Sequence, residues 1–237
     1  MMMKSKKNNQ ILEMDLPLVS DYLETYSGRD KMLRTLSYVA KLLTACTSSE
    51  STEKKLKTFG SKMSECRVML RLLDDLPTLN YVMTYGWGKK EPDWLIRWSQ
   101  VIQNMIDVIY SPVEHICWAG QHNIVSINNN KWDVATTWFW IFSLHLSLLR
   151  SLRLLQKLQK HKMRLKQSHP NAQITLQEIN KRQQSALLAC TRFTLDISYA
   201  ISYLPPGTLW GGCLKTWHVG ALGTISSLIG LYQALSK

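Results

Sequence analysis

The chain has 237 residues, of which 45% are hydrophobic, enough for one large domain or two small ones with a substantial core. Its formal net charge of +12 favours an anionic partner, such as nucleic acid, an anionic membrane surface or an acidic protein. Nucleic acid is the weaker interpretation, because no basic cluster alternates with stacking aromatics and neither zinc-finger spacing nor an aromatic RNA-reading motif is present. From residue 134 onward twelve Lys and Arg face only two acids, and bases crowd against an apolar segment, as at a membrane boundary.

The five cysteines are scattered and form no C-x-x-C pair, which predicts free thiols in a reducing compartment. The N-terminus has no apolar run long enough for a signal peptide, so a secreted protein is not expected. No metal-ligand spacing and no phosphate-binding loop occurs, so we expect neither a metal nor a cofactor.

The predicted elements begin after a flexible tail over residues 1–20. A helix is expected from about residues 27–30 to Leu43, where apolar residues recur at helical spacing. A polar break follows over 47–53, and Thr47 with Glu50 three residues later is a candidate capping box for the next helix.

That next helix is predicted over 56–75, with Pro77 ending it. About 100° per residue places six apolar side chains within one third of its circumference, and three basic side chains beside them or on the polar side. The apolar residues are Leu56, Phe59, Met63, Cys66, Leu70 and Leu73, and the basic residues are Lys57, Arg67 and Arg71. Such a helix either packs in a core or lies on a membrane with its basic residues contacting lipid phosphate.

A loop is expected over 85–93 and then a helix over 94–109, broken at Pro112. Residues 121–132 are polar and rich in turn formers, and another helix is expected over about 176–203 before a turn at 204–212. No strand pattern is visible, so the predicted class is all-α.

Two apolar segments without formal charge are candidates for membrane contact. The segment 217–235 is long enough to span the hydrocarbon, while the shorter 134–149 suits an interfacial helix or a tilted span. The longer segment carries a stripe of small residues that would let helices approach closely in a membrane: Gly220, Gly223, Thr224, Ser227 and Gly230. The expected architecture is a membrane-associated helical bundle with amphipathic N-terminal helices and one or two membrane-spanning helices. An N-terminal helical region would cover 21–130, and a membrane-embedded region with a basic loop over 150–182 would cover 131–237.

Five stretches, in this order, resemble the peroxin-11 family of peroxisomal membrane proteins, and within it the gamma form. The likeness covers about residues 28–235. The stretches are "GRDKMLRTLSYVAKLL", "CRVMLRLLDDL", "YSPVEHICWAG", "KWDVATTWFWIFSLHLSLLRSLRLL" and "LPPGTLW…VGALGTISSLIGLYQ".

The resemblance implies a protein of the peroxisomal membrane that elongates it and promotes its division. It implies insertion of the 56–75 helix into the cytosolic leaflet and association with itself and other family members. It also implies recruitment of the dynamin-related fission GTPase with its tail-anchored adaptors, and termini in the cytosol with a lumenal loop between the spans. Basic flanks instead favour the cytosolic side for 150–166, so the orientation stays open. The soluble import receptor for peroxisomal membrane proteins would read a basic address, here Arg150, Arg153, Lys157, Lys160 and Lys162. The acidic pair Asp74 and Asp75 departs from the more basic face of other forms.

Two other functions are alternatives to membrane shaping. A channel for small solutes is the alternative, because polar groups lie within the apolar segments: His145, Thr136, Thr137, Ser226 and Ser227. An enzyme is not expected, since Glu114–His115 and Asp74–Asp75 are the only close polar groupings and neither accompanies a nucleophile.

Overall fold

Eight α-helices form almost all of the structure, a computed structural model that describes residues 16–168 and 173–236. No strand occurs within these ranges, which confirms the all-α class. The helices are α1 (Leu16–Glu24), α2 (Tyr26–Leu43), α3 (Glu50–Arg71), α4 (Asp75–Tyr85), α5 (Trp94–Gln121), α6 (Asn129–Ser168), α7 (Gln173–Ile201) and α8 (Thr216–Leu235), and a short 3₁₀ turn (Thr44–Cys46) follows α2.

Side-chain caps determine where three of these helices begin. The Thr25 side chain accepts from the Gly28 amide at the start of α2, and the Asp93 carboxylate accepts from two amides at the start of α5. Ser49 caps α3, so the capping box predicted at Thr47 was wrong; the Thr47 hydroxyl instead accepts from the amide of Ser49. Each such cap satisfies an amide that the first helical turn leaves unpaired.

The predicted 56–75 helix ends earlier than expected, at Arg71. The amides of Leu73 and Asp74 bond to carbonyls three residues back, which tightens and then ends the turn. Pro77 does not end this helix but lies in the first turn of α4. A proline is tolerated there because a first-turn amide has no intrahelical partner.

The predicted break at Pro112 is also absent, since α5 continues through it to Gln121. Side chains on both sides of the proline are tied to the turn between α3 and α4. Ser111 hydrogen-bonds to Asp75, and the His115 Nε2 lies 3.2 Å from the Leu72 carbonyl oxygen. These contacts hold the two halves of α5 in line despite the lost amide.

Two segments expected to lack regular structure are helical where the structure describes them. Residues 16–20 of the predicted tail belong to α1, and 1–15 lie outside the described residues. The predicted basic loop 150–182 consists of the end of α6 and the start of α7, with 169–172 outside the described residues. Its bases are good helix formers, and apolar residues between them let α6 pack along α7, where Ile179 is buried.

The helices neighbour one another in the series α3, α2, α8, α7, α6, α5, while α1 packs on α2 and α4 packs on α5. The main apolar core lies between α6 and α7, around Ile141 and Ile201. A second cluster joins α2, α7 and α8 through Tyr38, Tyr199 and Val219. The two ends of the series, α3 and α5, face each other across a cavity.

A buried ionic network fixes α2 against α7 and α8. The Arg34 guanidinium donates to Asp196 at 2.7 Å, to the Ser226 hydroxyl at 3.0 Å and to the Tyr199 hydroxyl at 3.2 Å. Asp196 is 2% exposed and also accepts from Ser226. A buried carboxylate is tolerated only with such partners, because desolvating an unpaired charge costs several kcal/mol.

The small residues predicted to mediate helix packing do so within this chain. All five are buried on the side of α8 that faces its neighbours. A Cβ atom added at Gly220 would lie 2.3 Å from the Leu42 amide nitrogen, and one at Gly223 would lie 2.2 Å from the Tyr38 ring. The stripe thus allows the backbone of α8 to approach α2 closely. Whether the pair packs inside a membrane stays a prediction.

The two predicted spans correspond to the first part of α6 and to α8. Among the helices that the structure describes, none combines the length and the apolarity needed to cross a membrane. The expected spanning helices are therefore not confirmed.

Substitution of two α8 glycines tests the close approach. Gly220→Ala places a methyl group against the α2 backbone, so we expect a loss of about 1–3 kcal/mol from overpacking and a lower melting temperature in neutral detergent. Gly230→Ala is the matched control, because its methyl group would lie 3.5 Å from the Arg192 side chain and helix propensity favours alanine by about 1 kcal/mol. Equal melting temperatures for the two variants would contradict the packing described.

Candidate membrane-contacting surface

The apolar stripe predicted on α3 points away from the core of the protein. None of its six residues is buried: Phe59 is 45% exposed, Leu73 in the following turn is 80% exposed, and Cys66 is also exposed. Leu56, Met63 and Leu70 are half-buried. We call these six residues the α3 stripe. A stripe that faces outward does not fit the core-helix interpretation that the sequence left open.

The neighbouring face of α3, about 100° away, is small and polar and packs on α2. The Ser37 hydroxyl donates to the Gly60 carbonyl at 2.9 Å and lies 2.7 Å from the Ser64 hydroxyl. Gly60 is buried at this contact. The helix therefore contacts α2 here through polar atoms and leaves the α3 stripe outside this contact.

Two ion pairs attach the inward-facing side of α3 to α2 and to α5. The Arg67 Nε donates to Asp30 of α2 at 2.8 Å, and Arg71 donates through two nitrogens to Glu114 of α5, the closer at 2.5 Å. We call these two ion pairs the arginine clamps. Each arginine is one residue past the stripe and is paired with a carboxylate on the inward side of α3, and its predicted contact with lipid phosphate stays a prediction. Lys57 is exposed and pairs with Glu53.

On α5 the usual distribution of polar and apolar side chains is reversed. Four apolar side chains at helical spacing are each between 46% and 53% exposed: Trp98, Ile102, Met105 and Ile109. Three polar side chains on the same helix are 6% exposed or less: Ser99, Gln103 and Asn104. A helix on the surface of a water-soluble domain shows the opposite arrangement. An apolar exterior over a polar interior is the pattern expected where lipid replaces water.

The C-terminal helix shows the same reversal. Thr224, Ser226 and Ser227 are buried, while Ile225, Leu228 and Tyr232 are between 50% and 56% exposed. The segment that the sequence marked as apolar thus places its small and polar residues against the protein and its large apolar residues outside.

The hairpin formed by α4 and α5 also exposes apolar side chains, a contribution that was not predicted from the sequence. Leu76, Met83 and Trp94 are among its most exposed apolar side chains. Helical spacing identified the apolar residues of α5, but spacing does not show which face is buried. The signal in the sequence was the polar residue that follows an apolar one, such as Ser99 after Trp98 and Gln103 after Ile102, because these polar residues form the buried face.

The basic residues predicted as a targeting address differ in their surroundings. Arg150 donates to the Ser99 carbonyl at 3.1 Å, while Arg153 and Lys157 lie 3.0 and 3.5 Å from the Asp93 carboxylate. They thereby attach α6 to the start of α5. Farther along α6, Lys162 hydrogen-bonds to Gln183 of α7, and Lys160 is exposed.

Behind α3 lies a cavity of about 620 Å³ between α2, α3, α5, α6 and α7. We call it the central cavity. Four basic side chains line it: Arg34, Lys41, Arg67 and Arg71. Asp107 also lines it, and burial raises the pKa of this carboxyl.

The polar residues proposed for a pore bond mostly within the protein. Thr136 and Thr137 of the cavity wall donate to the Asp133 carbonyl of their own helix, and the His145 Nδ1 lies 2.8 Å from the Ile141 carbonyl oxygen. Ser226 belongs to the Asp196 network.

The polar groupings considered for an enzyme also join helices. Glu114 accepts from Arg71 and from the Tyr110 hydroxyl at 2.8 Å, and Asp74 accepts from the Tyr26 hydroxyl at 2.7 Å. Glu114 lies within α5, which is continuous past the break expected at Pro112.

Removing one arginine clamp should loosen α3 locally. Glu114→Gln replaces a charged hydrogen bond of about 1.5–3 kcal/mol with a neutral one, so amide hydrogen exchange over residues 64–71 should rise about ten- to hundredfold. Glu53→Gln, which removes an exposed pair on the same helix, is the control and should leave exchange nearly unchanged. Unchanged exchange over 64–71 in Glu114→Gln would contradict a clamping role.

The family model described as peroxisomal biogenesis factor 11 (PEX11) matches residues 16–235. The chain is 34% identical over 224 residues to human peroxisomal membrane protein 11C, covering 90% of this chain and 91% of that protein. It is 32% identical over 223 residues to the mouse protein of that name, with the same coverage.

A more distant relative is peroxisomal membrane protein PMP30A of Candida boidinii, which is 25% identical over 173 residues, covering 69% of this chain and 63% of that protein. No solved structure matches the chain significantly. A family match over nearly the whole chain confirms the resemblance seen in the sequence, and the chain belongs to the PEX11 family.

Proposed function

We propose that this protein resides at the peroxisomal membrane and promotes its elongation and division by inserting apolar side chains into the cytosolic leaflet. The observation that carries the proposal is the outward-facing α3 stripe, together with the reversed polarity of α5 and α8. Membership of the PEX11 family and the names of the mammalian relatives support the location.

Insertion follows from the exposure of the stripe. Burying apolar surface contributes roughly 25 cal/mol per Å², or about 1.5–3 kcal/mol for a whole large side chain. Six partly exposed side chains on one helix therefore supply several kcal/mol when they enter the boundary between headgroups and acyl chains. A helix lodged in one leaflet expands that leaflet relative to the other, and many copies bend the membrane.

The charges around the stripe are compatible with an anionic surface. Each basic residue near such a surface adds about 1 kcal/mol, and Lys57 is exposed beside the stripe. Both members of the acidic pair that departs from other family forms are hydrogen-bonded within the protein. Asp74 accepts from Tyr26, and Asp75 accepts from Ser111. In the clamps Arg67 and Arg71 face the inner side of α3, so headgroup phosphates at the α3 stripe would contact Lys57 rather than these two arginines.

The proposed partners follow the family. They are a second copy or another PEX11 protein, the dynamin-related fission GTPase with its tail-anchored adaptors, and the import receptor for peroxisomal membrane proteins. The small residues of α8 pack against α2, so self-association would use other surfaces, such as the exposed side chains of α5. The exposed Lys160 leaves the far part of α6 accessible to the receptor. We place both termini in the cytosol.

Acidic substitutions in the α3 stripe test the proposal. Full-length protein carrying Phe59→Glu and Leu73→Glu should bind phosphatidylserine vesicles about thirtyfold more weakly in flotation, because two inserting side chains become charged. Ile174→Glu is the matched control, since Ile174 is 77% exposed at the start of α7 but belongs to no stripe. Equal flotation of the double variant and the unsubstituted protein would refute insertion through α3.

A further inference from the structure

The central cavity contains one cation without an acidic partner. Of its four bases, Arg34 pairs with Asp196, and the arginine clamps pair the other two arginines. Lys41 makes no ion pair with any residue that the structure describes; its ammonium donates to the Tyr203 hydroxyl at 3.0 Å. Asp107, on the same wall, accepts from Gln103 and interacts electrostatically with Arg150 rather than with Lys41. The lysine charge is thus unneutralised.

Lys41 also faces a second positive charge. Burial lowers its pKa, and the nearby guanidinium of Arg67 lowers it further. Arg67 uses only Nε in the clamp with Asp30, so its two terminal nitrogens keep their hydrogens for another acceptor. Two like charges directed into one cavity repel each other unless an anion lies between them. This arrangement is suited to an oxyanion, which accepts from an ammonium and a guanidinium at once.

Apart from these bases, the cavity wall is mixed. Val68, Ile106, Phe139, Trp140 and four tyrosines form its apolar and aromatic part, and the polar residues are Ser64, Asp107, Gln121, Thr136, Thr137 and Ser143. The Lys41 ammonium lies 5.2 Å from the centre of the Tyr38 ring, which favours a cation at this place. Tyr203, its hydrogen-bond partner, is 45% exposed, so the charged end of the cavity reaches the surface. A volume of about 620 Å³ is within the range of small-molecule sites.

We propose that Lys41 and Arg67 bind the phosphate group of an amphiphilic molecule whose apolar part lies against the Phe139 and Trp140 wall. The inference rests on the proposed membrane function, because it places a phosphate site behind α3, but the cavity site is separate from the α3 stripe. Phosphate suits the site because it accepts from both cations, and the adjoining wall favours a hydrocarbon chain over a fully polar molecule.

The test measures binding of 1-oleoyl-glycerol 3-phosphate to the full-length protein in neutral detergent by equilibrium dialysis. Lys41→Gln should weaken binding about tenfold or more, since a charged hydrogen bond is lost. This variant leaves no carboxylate unpaired, so its melting temperature should stay near that of the unsubstituted protein. Lys57→Gln removes an exposed lysine of α3 outside the cavity and should leave binding unchanged. Arg67→Lys keeps the charge and should bind more tightly than Arg67→Gln.

Two further ligands show whether the site recognises the phosphate alone or the phosphate together with the hydrocarbon chain. 1-Oleoyl-glycerol lacks the phosphate and should bind at least tenfold more weakly. Glycerol 3-phosphate lacks the chain; binding as tight as that of the lipid would support the phosphate site but overturn the amphiphile. Equal lipid binding by Lys41→Gln and the unsubstituted protein would overturn the whole proposal. Detergent-phase binding should survive Phe59→Glu with Leu73→Glu, and vesicle flotation should survive Lys41→Gln, so the two proposals fail independently.

Discussion

The buried pair of Arg34 and Asp196 is the interaction on which the arrangement of the other helices depends. Charges removed from water require partners, and this pair recruits Tyr199 and Ser226, so α2, α7 and α8 meet in one orientation. The glycines of α8 then let its backbone approach α2. Because α3 packs mainly on α2 and meets α5 through the Arg71 clamp, the position of α2 largely decides which face of α3 turns outward.

The interior of the protein holds many polar side chains, and large apolar side chains lie on the outside. Buried Gln103 bonds to Asp107 and Ser143, while Met105 and Ile109 on the same helix are about half exposed. In water such a surface would favour aggregation, whereas at a membrane it contributes binding energy. The α3 stripe, the hairpin of α4 and α5, and the outer side of α8 all expose large apolar side chains. This shared feature is consistent with membership of the PEX11 family.

Local patterns in the sequence predicted the helices but not their orientation. The α3 stripe and the small residues of α8 followed from helical spacing. The partners of Arg67 and Arg71 could not, because Asp30 and Glu114 are 37 and 43 residues distant in the chain. Pro112 was expected to break the helix, because prolines tend to do so. Contacts from the turn between α3 and α4 override that tendency, and the helix is continuous. The basic run of α6 looked like a loop because its dense charge hid the apolar residues that pack on α7.

Depth measurements on the membrane-bound, full-length protein test the central claim most directly. Spin labels at positions 59, 63 and 70 of the α3 stripe and at the exposed positions 55 and 62 can be compared for collision with oxygen and with a water-soluble nickel complex. The account predicts that the stripe labels meet oxygen and exclude nickel, with the helical period of about 3.6 residues. Labels that all meet nickel equally would show that the outward apolar faces of this protein do not contact lipid.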